Sequence, residues 1–244
     1  MLQSVNGLHN FKLHAEDGEI GAIRDLYFDD ARWIVRYLVT ATGDWLSGRQ
    51  VLISPASVTG VDWGARSVAV SLTCDQARNS PDTAANQPVS RQHEADLAAF
   101  YGWPPYWAMS PFGMEPMVMP APWQEALQQA RADRGPRDPH LRSAREVKGY
   151  RMEARDGSIG HVSDLVFDDE TWAIAFLVVN AGSWLHARWV LLKPEWMEAI
   201  SWEERHVTAG VTRAFIEKSP KFLPAFPLSP EYTQQLLKHY RGME

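Results

Sequence analysis

One number organises this chain: adding 139 to a residue number in its first half gives the matching residue in its second half, without a gap. Asp17-Gly18 falls on Asp156-Gly157, Trp33 on Trp172, Trp45-Leu46 on Trp184-Leu185, Trp63 on Trp202 and Ser80-Pro81 on Ser219-Pro220. Under this shift about 26 of roughly 71 positions from Phe11 to Pro81 are identical, more than chance supplies at constant register. Pro88, Ser90, Leu97 and Tyr101 continue it onto Pro227, Ser229, Leu236 and Tyr240. The sequence therefore predicts a tandem duplication, with a unit at about residues 7–103 and again at 146–242. Whatever fold the unit adopts must be built twice.

Three parts follow: residues 1–103 as a first repeat with its C-terminal helix, 104–145 as a linker, and 146–244 as a second repeat with its helix. Dense prolines in the linker forbid long regular structure. One short helix from Pro122 to about Arg131 fits inside it, with proline near its start. At 244 residues, 45% of them hydrophobic and 22% charged, the chain suffices for two small cores. A net charge of −6 and a pI near 5.8 argue against broad nucleic-acid binding and predict no DNA partner. There is no window of the roughly 18–20 apolar residues that a membrane span needs, and the first residues lack the basic start and apolar core of a signal peptide. The expected location is the cytoplasm. Cys74, the one cysteine, excludes an internal disulfide and a multi-cysteine zinc site, and its counterpart is Arg213.

Each unit reads as mostly β. Ile20 to Phe28 and Trp33 to Thr40 are rich in branched and aromatic residues and flank Asp29-Asp30-Ala31-Arg32, a hairpin signature repeated at Asp168-Asp169-Glu170-Thr171. Trp33, Val35, Tyr37 and Val39 share one phase, as do Trp172, Ile174, Phe176 and Val178, which fits one buried sheet face. Ile23 lies out of phase with Leu26 and Phe28, the mark of a β-bulge or a coiled strand, and a small closed barrel accommodates that best. Further strands are predicted at Gln50–Ile53 and Ser67–Thr73. Ser90 is a candidate N-cap, and Ser229-Pro230 starts the matching helix.

The order Asp17-Gly18, Ile20-Gly21, Asp25-Leu26, Phe28-Asp29-Asp30, Tyr37-Leu38-Val39, Gly43, Trp45-Leu46, Arg49, Val51-Leu52 and Pro55, filled again 139 positions on, resembles the PRC-barrel family. That module is shared by the cytoplasmic part of the photosynthetic reaction-centre H subunit and the C-terminal part of a ribosome-maturation factor. The resemblance covers about 75 residues of each half. It implies two small β barrels in tandem, used for assembly, with no catalytic residues to carry over. The Phe100–Trp107 stretch after the first helix looks like the tail of other bacterial tandem proteins of this type.

The acidic turns Asp25, Asp29, Asp30 and Asp164, Asp168, Asp169 have the oxygens a hard cation prefers. Their spacing lacks the alternation of an EF-hand loop, and Asp-Asp at a hairpin tip caps backbone N–H groups unaided, so turn chemistry is the favoured reading. No metal is predicted, and the eight histidines are scattered without ligand spacing. Arg49 and Arg188 are expected to pair with Asp25 and Asp164 at the barrel rim, beside Trp45 and Trp184, each a barrel plug or a binding anchor. Trp103, Tyr106 and Trp107 open an aromatic, methionine- and proline-rich strip suited to docking on apolar surface. Arg131 to Arg151 is locally basic and offers a contact to RNA or an anionic membrane, but its interspersed acids favour a solvated linker. No nucleophile elbow, phosphate loop or dinucleotide fingerprint is present, so neither enzyme nor cofactor is predicted. The reading is a non-enzymatic scaffold or adaptor for an unidentified protein partner or a second copy of itself. The alternatives are an RNA- or ribosome-associated factor, and an accessory of a membrane-bound electron-transfer complex.

Overall fold

The computed structural model describes residues 1–42, 49–81, 89, 91–108, 121–132, 141–182, 188–224, 226 and 228–241. In the first half the strands are β1 (Leu2–Ser4), β2 (Lys12–Ala15), β3 (Gly18–Asp29), β4 (Ile34–Thr42), β5 (Gln50–Ile53), β6 (Val58–Asp62) and β7 (Ser67–Val70). In the second half they are β8 (Leu141–Ser143), β9 (Arg151–Ala154), β10 (Gly157–Asp168), β11 (Ile174–Asn180), β12 (Trp189–Leu192), β13 (Met197–Ser201) and β14 (His206–Ala209). The helices are α1 (Val5–Leu8), α2 (Cys74–Arg78), α3 (Arg91–Tyr101), α4 (Ala121–Ala132), α5 (Ala144–Val147), α6 (Arg213–Lys218) and α7 (Pro230–Arg241). The expected helices after each unit and within the linker are thus α3, α7 and α4. Ser229 caps α7 through the N–H of Tyr232 at 3.1 Å, whereas Ser90 lies outside the described residues.

The protein is mainly β, with two seven-stranded sheets. Their orders are β5-β4-β3-β2-β7-β6, with β8 on β3, and β12-β11-β10-β9-β14-β13, with β1 on β10. The β2–β7 and β9–β14 pairs are parallel, whereas β1–β10, β2–β3, β4–β5, β6–β7, β9–β10, β10–β11, β11–β12 and β13–β14 are antiparallel. The expected closed barrels are not formed: among the described residues no ladder joins β5 to β6 or β12 to β13. A barrel closes only when its first and last strands pair. Here the chain passes between them through a 3-10 turn, Pro55–Ser57 or Pro194–Trp196, begun by a proline that lacks an N–H. At the positions 139 residues beyond the predicted phase slip there is a bulge. In β10, Val162 faces Val179 and Asp164 faces Val178, so Ser163 is the extra residue.

Contacts group the chain into two units. One comprises Met1–His9, Asp25–Arg36 and Arg142–Glu244, and the other Asn10–Arg24 and Tyr37–Leu141. In the first, Val166, Val178, Leu191, Phe222, Leu236 and Tyr240 form a buried cluster on which Leu2 packs. In the second, Ala95 and Ala98 of α3 meet Leu127 and Ala130 of α4. The N-terminal nine residues and the first hairpin tip therefore group with the second half. The end of the stretch read as linker is ordered structure: Leu141–Ser143 is strand β8 and α5 follows it.

Candidate functional site

Two short segments on opposite halves do the same thing. β1 pairs with β10 through Leu2–Asp168, Gln3–Phe167 and Ser4–Val166, while β8, 139 residues later, pairs with β3. Each segment leaves its host strand through a serine that forms two hydrogen bonds in opposite senses. The Ser4 hydroxyl donates to Asp164 Oδ2 at 2.5 Å and accepts the N–H of Gly7 at 3.1 Å, capping α1. The Ser143 hydroxyl donates to Asp25 Oδ2 at 2.5 Å and accepts the N–H of Glu146 at 3.0 Å, capping α5. The other oxygen of each aspartate takes two backbone donors. Asp164 receives the N–H groups of Asn6 (3.2 Å) and Leu165 (2.8 Å), and Asp25 those of Arg145 (2.9 Å) and Leu26 (2.8 Å). Behind each turn a fully buried apolar side chain, Leu8 or Val147, closes the fastening.

These contacts decide the electrostatics. Burial pushes both carboxyls above the ordinary aspartate range, against the pull of the serine hydroxyls and backbone N–H groups. They also overturn the expected rim ion pairs. Arg49 donates to the carbonyls of Arg78 (3.2 Å) and Ser80, and Arg188 to those of Glu217 (2.8 Å) and Ser219 (2.7 Å). Those carbonyls lie at the ends of α2 and α6, where the last helical oxygens lack intrahelical partners and a guanidinium fits. Asp25 and Asp164 already hold three donors each, so the arginines serve the helix ends instead.

Asp29 and Asp168 work locally, whereas Asp30 and Asp169 meet Arg142 and the Met1 amine. Asp29 accepts the N–H groups of Ala31 and Arg32 at 3.0 and 3.1 Å, and Asp168 those of Glu170 and Thr171 at 3.1 and 2.8 Å, the turn chemistry expected. Asp30 forms a buried pair with Arg142 Nε at 2.7 Å, so Arg142 is withdrawn from the basic surface proposed for residues 131–151. Among the described residues no group of three or more His, Cys, Asp or Glu is placed to hold a metal ion. Trp33 and Trp172 end the hairpin turns at φ 55° and 61°, a left-handed conformation costly for a residue with a Cβ. Each stacks on a phenylalanine of the preceding strand, Phe28 at 5.6 Å or Phe167 at 5.4 Å. Their carbonyls are exchanged: Trp33 accepts the N–H of Ile174 at 2.7 Å and Trp172 that of Val35 at 2.9 Å.

In the other unit the aromatic strip is docked where it is described. Trp103 is buried, stacks on Tyr101 at 4.1 Å and donates its indole N–H to Ser57 Oγ at 2.7 Å. The Tyr106 hydroxyl donates to Glu94 Oε1 at 2.8 Å, and Arg91 lies over the rings of Tyr106 (5.1 Å) and Trp107 (4.6 Å) while pairing with Glu94 at 3.0 Å. Glu94 is fully buried, and burial holds the Tyr37 hydroxyl well above its ordinary range, with Glu94 adding to the rise. Sequence reading missed this network. Its signal was a glutamate one turn before Leu97 on the buried face of α3, with an arginine three residues earlier. The corresponding positions, Pro230 and Thr233, have no such pair, so the network belongs to the first half alone.

Trp45 and Trp184 lie outside the described residues. Among the described residues no helix is long and apolar enough to cross a membrane. No protein-family model matches the chain, and no curated protein matches it.

Proposed function

We propose that this chain is a non-enzymatic scaffold or adaptor, a tandem duplication of a PRC-type unit that organises protein partners into an assembly. The observation that carries this reading is how the polar residues common to both halves are used. Asp17 and Asp156 each accept the first N–H of a helix at 2.7 Å, from Cys74 and Arg213. Thr73 and Thr212 cap those same helices. Asp25 and Asp164 hold the exchanged strands, Asp29 and Asp168 shape the turns, and Arg49 and Arg188 cap carbonyls. A reaction performed by both units would need shared groups to act on a substrate, and these are committed to backbone groups and serine hydroxyls. What the halves have in common is architecture, which suits a protein whose output is placement.

The test is capture of the tagged full chain from its native cell after crosslinking, with quantification of what accompanies it. Reproducible, near-stoichiometric recovery of a defined protein complex is the expected result. Ribosomal subunits, or a membrane electron-transfer complex, as the stoichiometric companion would replace the adaptor reading with one of its two alternatives. Turnover of a metabolite by the purified chain would overturn the non-enzymatic part.

A further inference from the structure

The two fastenings define a binding specification, because two different sequences satisfy it. Leu2-Gln-Ser4-Val-Asn-Gly-Leu8 and Leu141-Arg-Ser143-Ala-Arg-Glu-Val147 share an apolar residue, a serine two positions on, and a second apolar residue four beyond that. Those three positions are used alike in both segments: Leu141 is buried and Leu2 packs on the core, both serines donate to an aspartate, and Leu8 and Val147 are fully buried. The other positions differ in size and charge: Gln3 and Arg142 are both buried at the same place, and only Arg142 is ion-paired there, with Asp30.

The β1 segment is a three-residue strand followed by a four-residue helix, and it leads through Asn10, at a left-handed φ of 66°, into β2. So short a ladder opens at lower cost than the longer β10–β11 pairing beside it. Leaving would expose the Asp164–Asp168 stretch of β10 and its carboxylate.

We propose that this groove on β10 is a binding site for an extended protein segment of the pattern apolar-x-Ser-x-x-x-apolar, and that residues 1–9 are its resident, displaceable occupant. This rests on the adaptor reading and names the chemistry of one partner: a strand that adds to the sheet, donates a serine hydroxyl to Asp164, caps itself into a turn and buries a second apolar side chain. Asp164 is the selective element, since a part-buried carboxylate held by three donors binds a segment lacking the hydroxyl less well.

The experiment uses synthetic peptides of residues 1–9 and 140–148, fluorescently labelled, and a chain lacking residues 1–9. If circular dichroism shows that this truncated chain has lost its fold, the full chain carrying a protease site between His9 and Asn10 is cleaved in the folded state and used in its place. Both peptides should raise fluorescence anisotropy on the opened chain and compete with one another. On the intact chain binding should be at least ~10-fold weaker, because the tethered strand competes at roughly millimolar effective concentration. A Ser4→Ala peptide should bind about 10-fold or more weaker, and the opened Asp164→Ala chain should show the same loss. Failure of both peptides to bind a folded, opened chain overturns the proposal, as does equal binding of the serine and alanine peptides. Either failure leaves the adaptor reading to be judged by the capture experiment alone.

Discussion

Replacing Asp164 with alanine removes one acceptor and strands three donors: the Ser4 hydroxyl and the N–H groups of Asn6 and Leu165. Each hydrogen bond to a charged acceptor contributes about 1.5–3 kcal/mol net, and each buried donor left unpaired costs about 1–3 kcal/mol. Asp164 is only partly buried, so water reaches part of the vacated space, and the carboxylate's own desolvation is relieved. We expect a net loss of about 2–4 kcal/mol at pH 7, which lowers the Tm of a chain this size by about 5–12 °C. Asparagine keeps an acceptor for the backbone N–H groups and should cost no more than about 1 kcal/mol at pH 7. The pH dependence separates a buried carboxyl from a surface one. Burial raises the folded-state pKa of Asp164, so its stabilising contribution is complete below the unfolded value near 3.8 and is lost as pH rises through the raised folded value. The penalty of Asp164→Asn relative to the parent should therefore be larger at pH 4 than at pH 7. Urea unfolding followed by tryptophan fluorescence at both pH values measures this, and groups common to parent and variant cancel in the difference. An alanine variant within about 0.5 kcal/mol of the parent, or an asparagine penalty that grows with pH, would refute the account of the clasp.

Trp172 should rank unusually: Trp172→Gly is expected to be more stable than Trp172→Ala by about 1 kcal/mol, because both lose the stack on Phe167 but only glycine is relaxed at φ 61°. Thermal melts of the pair decide it, and the usual order with alanine ahead would show that the turn relaxes. Arg142→Ala leaves the buried Asp30 carboxylate without its guanidinium and should cost about 3 kcal/mol in chemical denaturation, while adding Asp30→Asn should restore part of that loss. Gly160→Ala should abolish soluble, folded protein, since the new Cβ would lie 1.9 Å from the carbonyl oxygen of Asn180, a backbone atom with nowhere to go. Gly21→Ala meets Ala41 at 2.1 Å and should behave alike, as solubility and circular dichroism of both variants will report.

The sequence was most legible where a residue's role is local. Asp29 and Asp168 cap their own turns, Ser229 and Pro230 begin a helix, and the phase slip between Ile23 and Leu26 announced the bulge that β10 shows after Val162. These depend on neighbours within a few positions, which spacing reveals. It failed where a partner lies more than 100 residues away. The ion pairs drawn from Arg49 to Asp25 and from Arg188 to Asp164 were chemically reasonable, but the aspartates meet Ser143 and Ser4, at separations of 118 and 160 residues. Even so, a trace was present: extending the 139-residue register back from residue 7 places Leu2 on Leu141 and Ser4 on Ser143.

By itself the amino-acid sequence determined a 139-residue internal register of shared residues, a wealth of strands in each half, and where several turns and a helix start fall, because propensity, periodicity and caps act over a few residues. Only the tertiary structure decided that the sheets stay open, that β1 serves β10 and β8 serves β3, and that Glu94 is buried beneath Tyr106. Those outcomes are choices among distant partners of similar chemistry. They are settled by which donors the folded chain brings within reach of an acceptor, and geometry in space fixes that where order along the chain does not.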